Sequence, residues 1–220
     1  MKGVAIQMEW MKGAIFDLDG TLIDSTGVWK QIDIDFLGAR GFDVPDDYAA
    51  YIAPLGVEET AGYTKKRFGL ADTVDDIIKE WYDMALDAYS YRIRLKSGVE
   101  KYLAKLKNKG IKLSIATASD LRLVVPVLKN NKILDLFENI TTIKEVKRGK
   151  GFPDIYIKSA DKMNLKPEEC VVFEDIIQGV KGAKSGGFYT IGVHDEGSAG
   201  DREDMVKHAD RFIENFEELI

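Results

Sequence analysis

The stretch at residues 13–21 reads GAIFDLDGT, a continuous apolar run that leads directly into carboxylates, glycine and threonine. A short apolar run closed by turn-forming residues predicts a buried strand at residues 13–16. Asp17 and Asp19 follow at the carboxyl end of that strand. Ligands bind at the carboxyl ends of the strands in open α/β sheets, so this stretch predicts the first strand of the fold and part of a site.

Strands and helices alternate over the second half of the chain. Short apolar runs that are typical of buried strands are separated by amphipathic segments of helical period. The predicted strands are residues 111–116, 139–143, 170–173 and 189–193, and the predicted helices are residues 98–109, 121–131, 153–164 and 176–185. This alternation predicts an α/β fold, a doubly wound parallel sheet of Rossmann-like type with helices on both faces.

Residues 24–94 have a different texture, with helical spacing, many aromatic residues and no strand-like alternation. We therefore expect an all-helical domain inserted after the first strand, of about 70 residues, which is a usual size for a small domain. The predicted boundaries are residues 1–23 and 95–220 for the α/β core and residues 24–94 for the insert. Because the opening tripeptide MKG recurs at residues 11–13, residues 1–10 are a tail in one interpretation of the N-terminus.

The composition excludes several classes of partner. With 31 Lys+Arg against 37 Asp+Glu, the 220 residues carry a formal net charge of −6, whereas nucleic acids and anionic membranes select clustered positive charge. The single cysteine, Cys170, can form no disulfide within the chain, and no apolar run approaches the roughly 20 residues of a membrane span. We expect a soluble cytoplasmic protein, a monomer or weak homodimer, with no nucleic-acid or membrane partner.

Oxygen-bearing side chains follow three of the predicted strands. Asp17 and Asp19 follow the first, the sequence TASD at residues 117–120 follows the second, and Glu174 and Asp175 follow a later one. Carboxylates that converge at one edge of a sheet repel each other unless a cation lies between them, and hard oxygen ligands suit Mg²⁺. With two histidines and one cysteine, a zinc site or a histidine-based triad is poorly supported.

Simpler roles for the same residues are open. An Asp-x-Asp-Gly sequence is usually a turn, and a lone lysine such as Lys150 is usually a solvated side chain. Residues 117–120 can cap the helix that follows them, and Asp175 can cap the next helix. Residues 179–185, GVKGAKS, approach a phosphate-binding loop, but Ala183 stands where that motif requires glycine.

Four motifs, taken in order, resemble those of a known family. They are DLDGTLIDS at residues 17–25, Thr117 after the second strand, Lys150 within KRGKGFPD at residues 147–154, and VFEDIIQGV at residues 172–180. In this order and spacing the chain resembles the haloacid dehalogenase superfamily of phosphohydrolases, and within it the subfamily of β-phosphoglucomutase and phosphoglycolate phosphatase. The resemblance extends from Met11 onward and implies that the helical insert is a cap domain.

The resemblance implies a role for each matched residue. Asp17 is the expected nucleophile, which forms an aspartyl-phosphate, and Asp19 is the expected general acid and base. Thr117 and Lys150 are expected to bind the transferring phosphoryl group, with Ala118 beside them in the substrate site.

The resemblance also implies Mg²⁺ as the cofactor. Asp17, the backbone carbonyl of Asp19, and Asp175 are the expected ligands, and Glu174 is either a further ligand or an outer partner of the metal. Ile176 stands where the family often has serine, which weakens the expected support for Asp175.

The insert bears on the choice of reaction, and Trp29 and Gly56 are its expected substrate contacts. In mutase members of the family the resemblance leads us to expect a histidine in the first cap helix and an arginine on the substrate loop. This chain has Trp29 at the first place, and Glu58 and Glu59 near the second. Two acids repel a second phosphate, which favours a phosphatase. Three aromatic residues either stack on a sugar or base or pack in a helical core: Trp29, Tyr63 and Trp81.

The sequence therefore predicts an enzyme, a Mg²⁺-dependent phosphoric monoester hydrolase that acts on a small phosphorylated metabolite such as a sugar phosphate. The alternative within enzymes is a phosphosugar mutase similar to β-phosphoglucomutase. A non-catalytic protein that binds a phosphorylated ligand is the less favoured alternative from another class.

Overall fold

The computed structural model describes residues 10–52, 55 and 57–220. The chain divides into two compact units, one formed by the residues up to Thr26 together with Ile93–Ile220, and the other by Gly27–Arg92. Residues 1–9, which make up most of the predicted tail, lie outside the described residues.

The first unit is α/β and the second is helical. The strands are β1 (Gly13–Phe16), β2 (Lys112–Thr117), β3 (Asn139–Thr142), β4 (Cys170–Glu174), β5 (Tyr189–Val193) and β6 (Arg211–Ile213). The helices of the second unit are α1 (Val28–Gly38), α2 (Tyr48–Ile52), α3 (Val57–Phe68) and α4 (Val74–Asp87), and those of the first are α5 (Val99–Asn108), α6 (Leu121–Asn130), α7 (Asp154–Lys162), α8 (Ile177–Ser185) and α9 (Arg202–His208). Among the described residues, no helix has both the length and the apolar character that a membrane crossing requires.

The strands form one parallel sheet in the order β3-β2-β1-β4-β5-β6. The chain runs outward from β1 to β3 and then returns to the other side of β1 to begin β4, so the strand order reverses between β1 and β4. Their register pairs Phe16 with Phe173, which brings the residues that follow, Asp17 and Glu174, level with each other. A doubly wound sheet binds ligands at such a reversal. The predicted fold class is confirmed.

The core holds β1 and β4 in register from both faces of the sheet. On one face Phe16 stacks on Phe173 with ring centroids 4.5 Å apart, and Phe216 packs against both rings. On the other face Ile15 belongs to a buried cluster with Ile155 of α7. Full burial of each such side chain stabilises the fold by about 1.5–3 kcal/mol, which is enough to fix the level at which the strands end.

The helical unit has a core of its own. Trp81 is 5% exposed and packs edge-on against Phe36, with ring centroids 5.5 Å apart. Tyr63 stacks on Tyr51 at 4.0 Å. Trp29, in contrast, is 47% exposed. Core packing is therefore the role of Trp81 and ring stacking within the unit is that of Tyr63, while Trp29 is left available for a ligand.

Candidate active site

The turn after β1 presents Asp17 and Asp19. The backbone N–H of Asp17 donates to the carbonyl of Phe173 at 2.9 Å, which continues the β1–β4 ladder by one residue, and the Asp17 side chain is buried. The chain then turns sharply, and the N–H of Gly20 donates to the carbonyl of Ile23 at 3.1 Å. Gly20 has a φ of +79°, and a Cβ there would overlap the Asp175 carboxylate. Glycine is required here both for the turn and for the close approach of Asp175.

Lys150 brings the positive charge of the site. Its side chain is 8% exposed and forms ion pairs with the Asp17 carboxylate and with Glu174 Oε1, the latter at 2.8 Å. Burial lowers the pKa of Lys150, but the charges of Asp17 and Glu174 raise it by more, so its pKa lies above the ordinary value. The lysine therefore stays cationic and is not the solvated side chain of the simpler interpretation.

Asp17, Glu174 and Asp175 form a buried acidic group. Each offers one carboxylate oxygen, and these oxygens lie within 4.8 Å of one another. Burial raises the pKa of Asp175 to about 9, and the charges of Asp17 and Glu174 act in the same direction. Thr21 donates to Asp175 Oδ1 at 3.0 Å, but a hydroxyl does not neutralise the charge. Three buried hard oxygen donors that repel one another fit a divalent cation. The Asp19 carboxylate is not in this group.

Glu174 is held from several sides. Its Oε1 accepts hydrogen bonds from Lys150 and from the hydroxyl of Tyr156, at 2.7 Å for the tyrosine. Its Oε2 is buried and has no hydrogen-bond partner among the described residues. Burial raises the pKa of Glu174 to about 7. Because one oxygen is already bonded twice and the other is unpaired, the residue suits an outer partner of a cation at least as well as a direct ligand.

Two glycines of α8 let the site assemble. A Cβ at Gly179 would lie 2.5 Å from Glu174 Cδ, and a Cβ at Gly182 would overlap the carbonyl oxygen of Lys150. The sequence GVKGAKS therefore supplies packing space to the Glu174 side chain and to the Lys150 loop, and lies in a helix rather than a phosphate-binding loop.

Asp19 and Thr117 are linked by a residue that sequence reasoning missed. Ser119 Oγ donates to Asp19 Oδ2 at 2.6 Å, and the Ser119 N–H donates to Thr117 Oγ1 at 3.0 Å. Thr117 is the buried last residue of β2, and Ala118 is exposed directly after it. Through its side chain and its backbone N–H, Ser119 thus connects the acid–base candidate after β1 to the phosphoryl-binding candidate of β2.

Of the two predicted helix caps, the structure shows the one at α6 and not the one by Asp175 at α8. The Asp120 side chain accepts from the N–H of Arg122 at 2.9 Å and caps α6. At α8 the N-cap residue is Ile176, and no side chain caps that helix. Asp175 therefore does not cap α8, and its carboxylate belongs to the buried acidic group.

The two predicted substrate contacts of the insert are placed only in part. Trp29 lines a groove of about 710 Å³ within the helical unit, together with Asp33 and Phe42. Gly56 lies outside the described residues. The residues that the sequence predicted from β1, β2, β4 and the Lys150 loop meet in the first unit, whereas the contact of Trp29 or Gly56 with a substrate is still a prediction.

Comparison with known proteins places the chain in a family. The model of the haloacid dehalogenase-like hydrolases matches residues 14–193. A phosphorylated carbohydrates phosphatase of Thermotoga maritima is 29% identical over 183 residues, which is 82% of this chain and 84% of that protein. The β-phosphoglucomutase of Bacillus subtilis is 28% identical over 196 residues, or 83% of each protein.

Solved structures agree with this placement. A candidate β-phosphoglucomutase from Thermotoga maritima superimposes with a TM-score of 0.83 and 26% identity over 95% of this chain and 97% of that one. CbbY from Rhodobacter sphaeroides, in complex with phosphate, gives a TM-score of 0.74 at 24% identity over 95% of this chain and 96% of that one, which supports the fold. The resemblance seen in the four motifs is thereby confirmed, and the chain belongs to the haloacid dehalogenase-like hydrolases.

Proposed function

We propose that the chain is a Mg²⁺-dependent phosphatase that hydrolyses a small phosphorylated metabolite through an aspartyl-phosphate on Asp17. Membership of the family makes it a phosphoric monoester hydrolase. The observation that carries the mechanism is the buried ion pair of Lys150 with Asp17, beside Glu174 and Asp175, at the reversal of the strand order.

Asp17 is the nucleophile in this proposal. One of its carboxylate oxygens bonds to phosphorus while the bond from phosphorus to the leaving oxygen breaks, and a water molecule then releases phosphate and restores the carboxylate. Lys150 pairs with the Asp17 carboxylate and places a fixed positive charge where the phosphoryl oxygens arrive. Thr117 would donate its hydroxyl hydrogen to one of those oxygens, because its Oγ1 accepts from Ser119 and keeps its proton free.

Asp19 is the general acid and base. In the first step it gives a proton to the departing alkoxide, and in the second it takes a proton from the attacking water. The hydrogen bond from Ser119 to Oδ2 fixes the orientation of the carboxyl group.

The buried acidic group is the proposed metal site. Asp17, Asp175 and the backbone carbonyl of Asp19 would hold Mg²⁺, with Glu174 as a ligand or an outer partner. When bound, the ion neutralises the carboxylates and allows an anionic phosphate to approach Asp17. Two observations support this assignment. Oε2 of Glu174 has no hydrogen-bond partner among the described residues, and the pKa of Asp175 is raised by burial and by the neighbouring carboxylates. A bound cation would compensate the negative charge at both places.

A sugar phosphate or a similar monoester is the proposed substrate class, and the helical unit is the proposed cap. Relatives named for phosphorylated carbohydrates and for hexitol phosphates support the class. The β-phosphoglucomutase of Bacillus subtilis keeps a mutase as the second candidate. Hydrolysis is preferred because Glu58 and Glu59 are exposed, and their charge repels the second phosphate that a mutase must hold.

A phosphate-release screen with Mg²⁺ tests the proposal. The panel contains hexose, hexitol and nucleoside monophosphates and phosphoglycolate, and the Asp17→Asn variant is the control. Release that is abolished by Asp17→Asn supports the phosphatase. Isomerisation of a sugar phosphate that depends on a sugar bisphosphate would replace it by the mutase, and binding without turnover across the panel would refute both enzymes.

A further inference from the structure

Lys96 is a partly buried lysine that the mechanism above does not use. Its ammonium nitrogen donates to the carbonyl of Gly20 at 2.6 Å, to the carbonyl of His194 at 2.5 Å, and to Asp195 Oδ2 at 2.9 Å. The side chain is 14% exposed. All three ammonium hydrogens therefore have an acceptor, and together they tie the turn after β1 to the end of β5.

Asp195 keeps this lysine in place. Its side chain is 7% exposed, and its Oδ1 accepts from the Thr26 hydroxyl at 2.6 Å and from the Gly197 N–H at 2.8 Å. Burial raises the pKa of Asp195, but the bonds from Thr26 and Lys96 lower it by more. The pKa of Asp195 therefore lies below its ordinary value, and the side chain is an ionised carboxylate at neutral pH. A buried charge pair with every donor and acceptor satisfied is rigid, because breaking either partner exposes an uncompensated charge.

The point that Lys96 holds is one peptide unit from Asp19. The Gly20 N–H is bonded to Ile23 and the Gly20 carbonyl to Lys96, so both polar groups of this glycine are fixed. Gly20 has a positive φ and no side chain of its own to anchor it. These two bonds hold the backbone directly after Asp19, and Ser119 holds its carboxylate.

We propose that Lys96, braced by Asp195, is a positioning residue that holds the backbone of the acid–base Asp19 through the Gly20 carbonyl. The inference rests on the proposed acid–base role of Asp19. A proton transfer tolerates little displacement, since an error of about 1 Å in the position of a reacting group can cost about 100-fold in rate. Loss of Lys96 should therefore slow phosphoryl transfer from a substrate whose leaving group needs a proton. It should spare transfer from a substrate whose leaving group departs without one.

Leaving-group dependence separates this role from a merely structural one. An alkoxide must be protonated as it departs, whereas the p-nitrophenolate anion leaves without a proton. We compare kcat/KM on the best alkyl phosphate of the panel with kcat/KM on p-nitrophenyl phosphate, because kcat/KM reports the transfer to Asp17 and not the later hydrolysis that both substrates share. In Lys96→Met we expect the ratio of the two to fall by about tenfold or more, and Lys96→Arg, which keeps a cationic donor, should restore part of the loss. Asp19→Asn shows the full selectivity, which for a general acid is about 100-fold or greater.

Two further variants complete the test. The control is Lys112→Met, because Lys112 also donates to a backbone carbonyl of the same unit, that of Met163 at 2.7 Å, and it should leave the ratio unchanged. Asp195→Asn removes the charge and replaces one of the two acceptor oxygens by a donor NH2, so it should weaken the hold on Lys96 and lower the ratio by about threefold even where Lys96→Met does not fold. Equal losses on both substrates in the Lys96 and Asp195 variants, with a selective loss in Asp19→Asn, would overturn the inference alone. An unselective Asp19→Asn would overturn the proposed acid and the inference together.

Discussion

Replacing Lys150 by methionine should destabilise the metal-free protein in a way that depends on pH. The substitution keeps the approximate length of the side chain and removes a cation that pairs with both Asp17 and Glu174. Three carboxylates then remain buried within 4.8 Å of one another without a counter-charge from that lysine. Loss of one partner from a buried ion pair costs about 3–5 kcal/mol.

Protonation of a carboxyl group limits this destabilisation and determines how it changes with pH. The native variant will bind an extra proton rather than keep all the buried charge, so the native pKa of at least one carboxyl rises further above its unfolded value of about 4. A carboxyl group whose native pKa is raised lowers the stability of the protein as the pH rises from the unfolded pKa to the native pKa. We therefore expect the difference in unfolding free energy between Lys150→Met and the wild type to grow by about 1.4 kcal/mol for each pH unit, for one extra proton bound.

Urea unfolding followed by circular dichroism, in the presence of a chelator at pH 5.5, 6.5 and 7.5, measures this difference. Lys158→Met is the control, since Lys158 pairs with Glu145 at 4.0 Å and is 42% exposed; its loss should cost less than about 0.5 kcal/mol at every pH. A deficit in Lys150→Met that is below about 1 kcal/mol at pH 7.5, or that is the same at all three values, would show that the lysine does not compensate the buried carboxylates.

Three other predictions concern the same molecule. Without a divalent cation the thermal stability should fall as the pH rises from about 4 toward 9, because Asp175 has a raised pKa of about 9 and must lose its proton while buried; added Mg²⁺ should flatten that fall in a melting experiment. Gly182→Ala should lower kcat at least tenfold by displacing the carbonyl of Lys150, whereas Gly62→Ala, with open space around the added Cβ, should leave kcat unchanged and stabilise its helix by up to about 1 kcal/mol. Burial raises the pKa of Asp33 to about 6, so Asp33→Asn should stabilise the protein by about 1 kcal/mol at pH 8, a value reduced for the partial exposure of the side chain, and by nothing at pH 4.

The carboxylates of the candidate site could be predicted from the sequence because their placement follows from local rules. A strand ends where its apolar run ends, and parallel strands end at the same edge of the sheet, so Asp17 and Asp175 had to converge. Helix limits were equally local: α6 was predicted at residues 121–131 and is Leu121–Asn130. The strand β6 was missed, since its three residues are too few to show a period.

The supporting residues could not be predicted because their roles depend on tertiary contacts. Tyr156 looks like an ordinary apolar position of an amphipathic helix until Glu174 lies opposite it. Ser119 looks like a loop serine until Asp19 is brought to it across 100 residues of sequence. A lysine such as Lys96 is solvated by default, and its burial is decided by acceptors from Gly20 and Asp195 that lie in two separate parts of the chain.

The Thr26–Asp195–Lys96 connection has a consequence for how this fold can change. Thr26 is the last residue before the helical unit, and Lys96 lies four residues after the end of that unit. Both ends of the inserted chain are therefore bonded to a single carboxylate, that of Asp195, just after β5. The entropic cost of closing a loop between anchored ends grows only slowly with its length. The stability of the α/β unit therefore depends little on how many residues lie between these ends. A segment of another size or sequence can replace residues 27–92 without a new junction. This position is therefore suited to the exchange of one inserted domain for another.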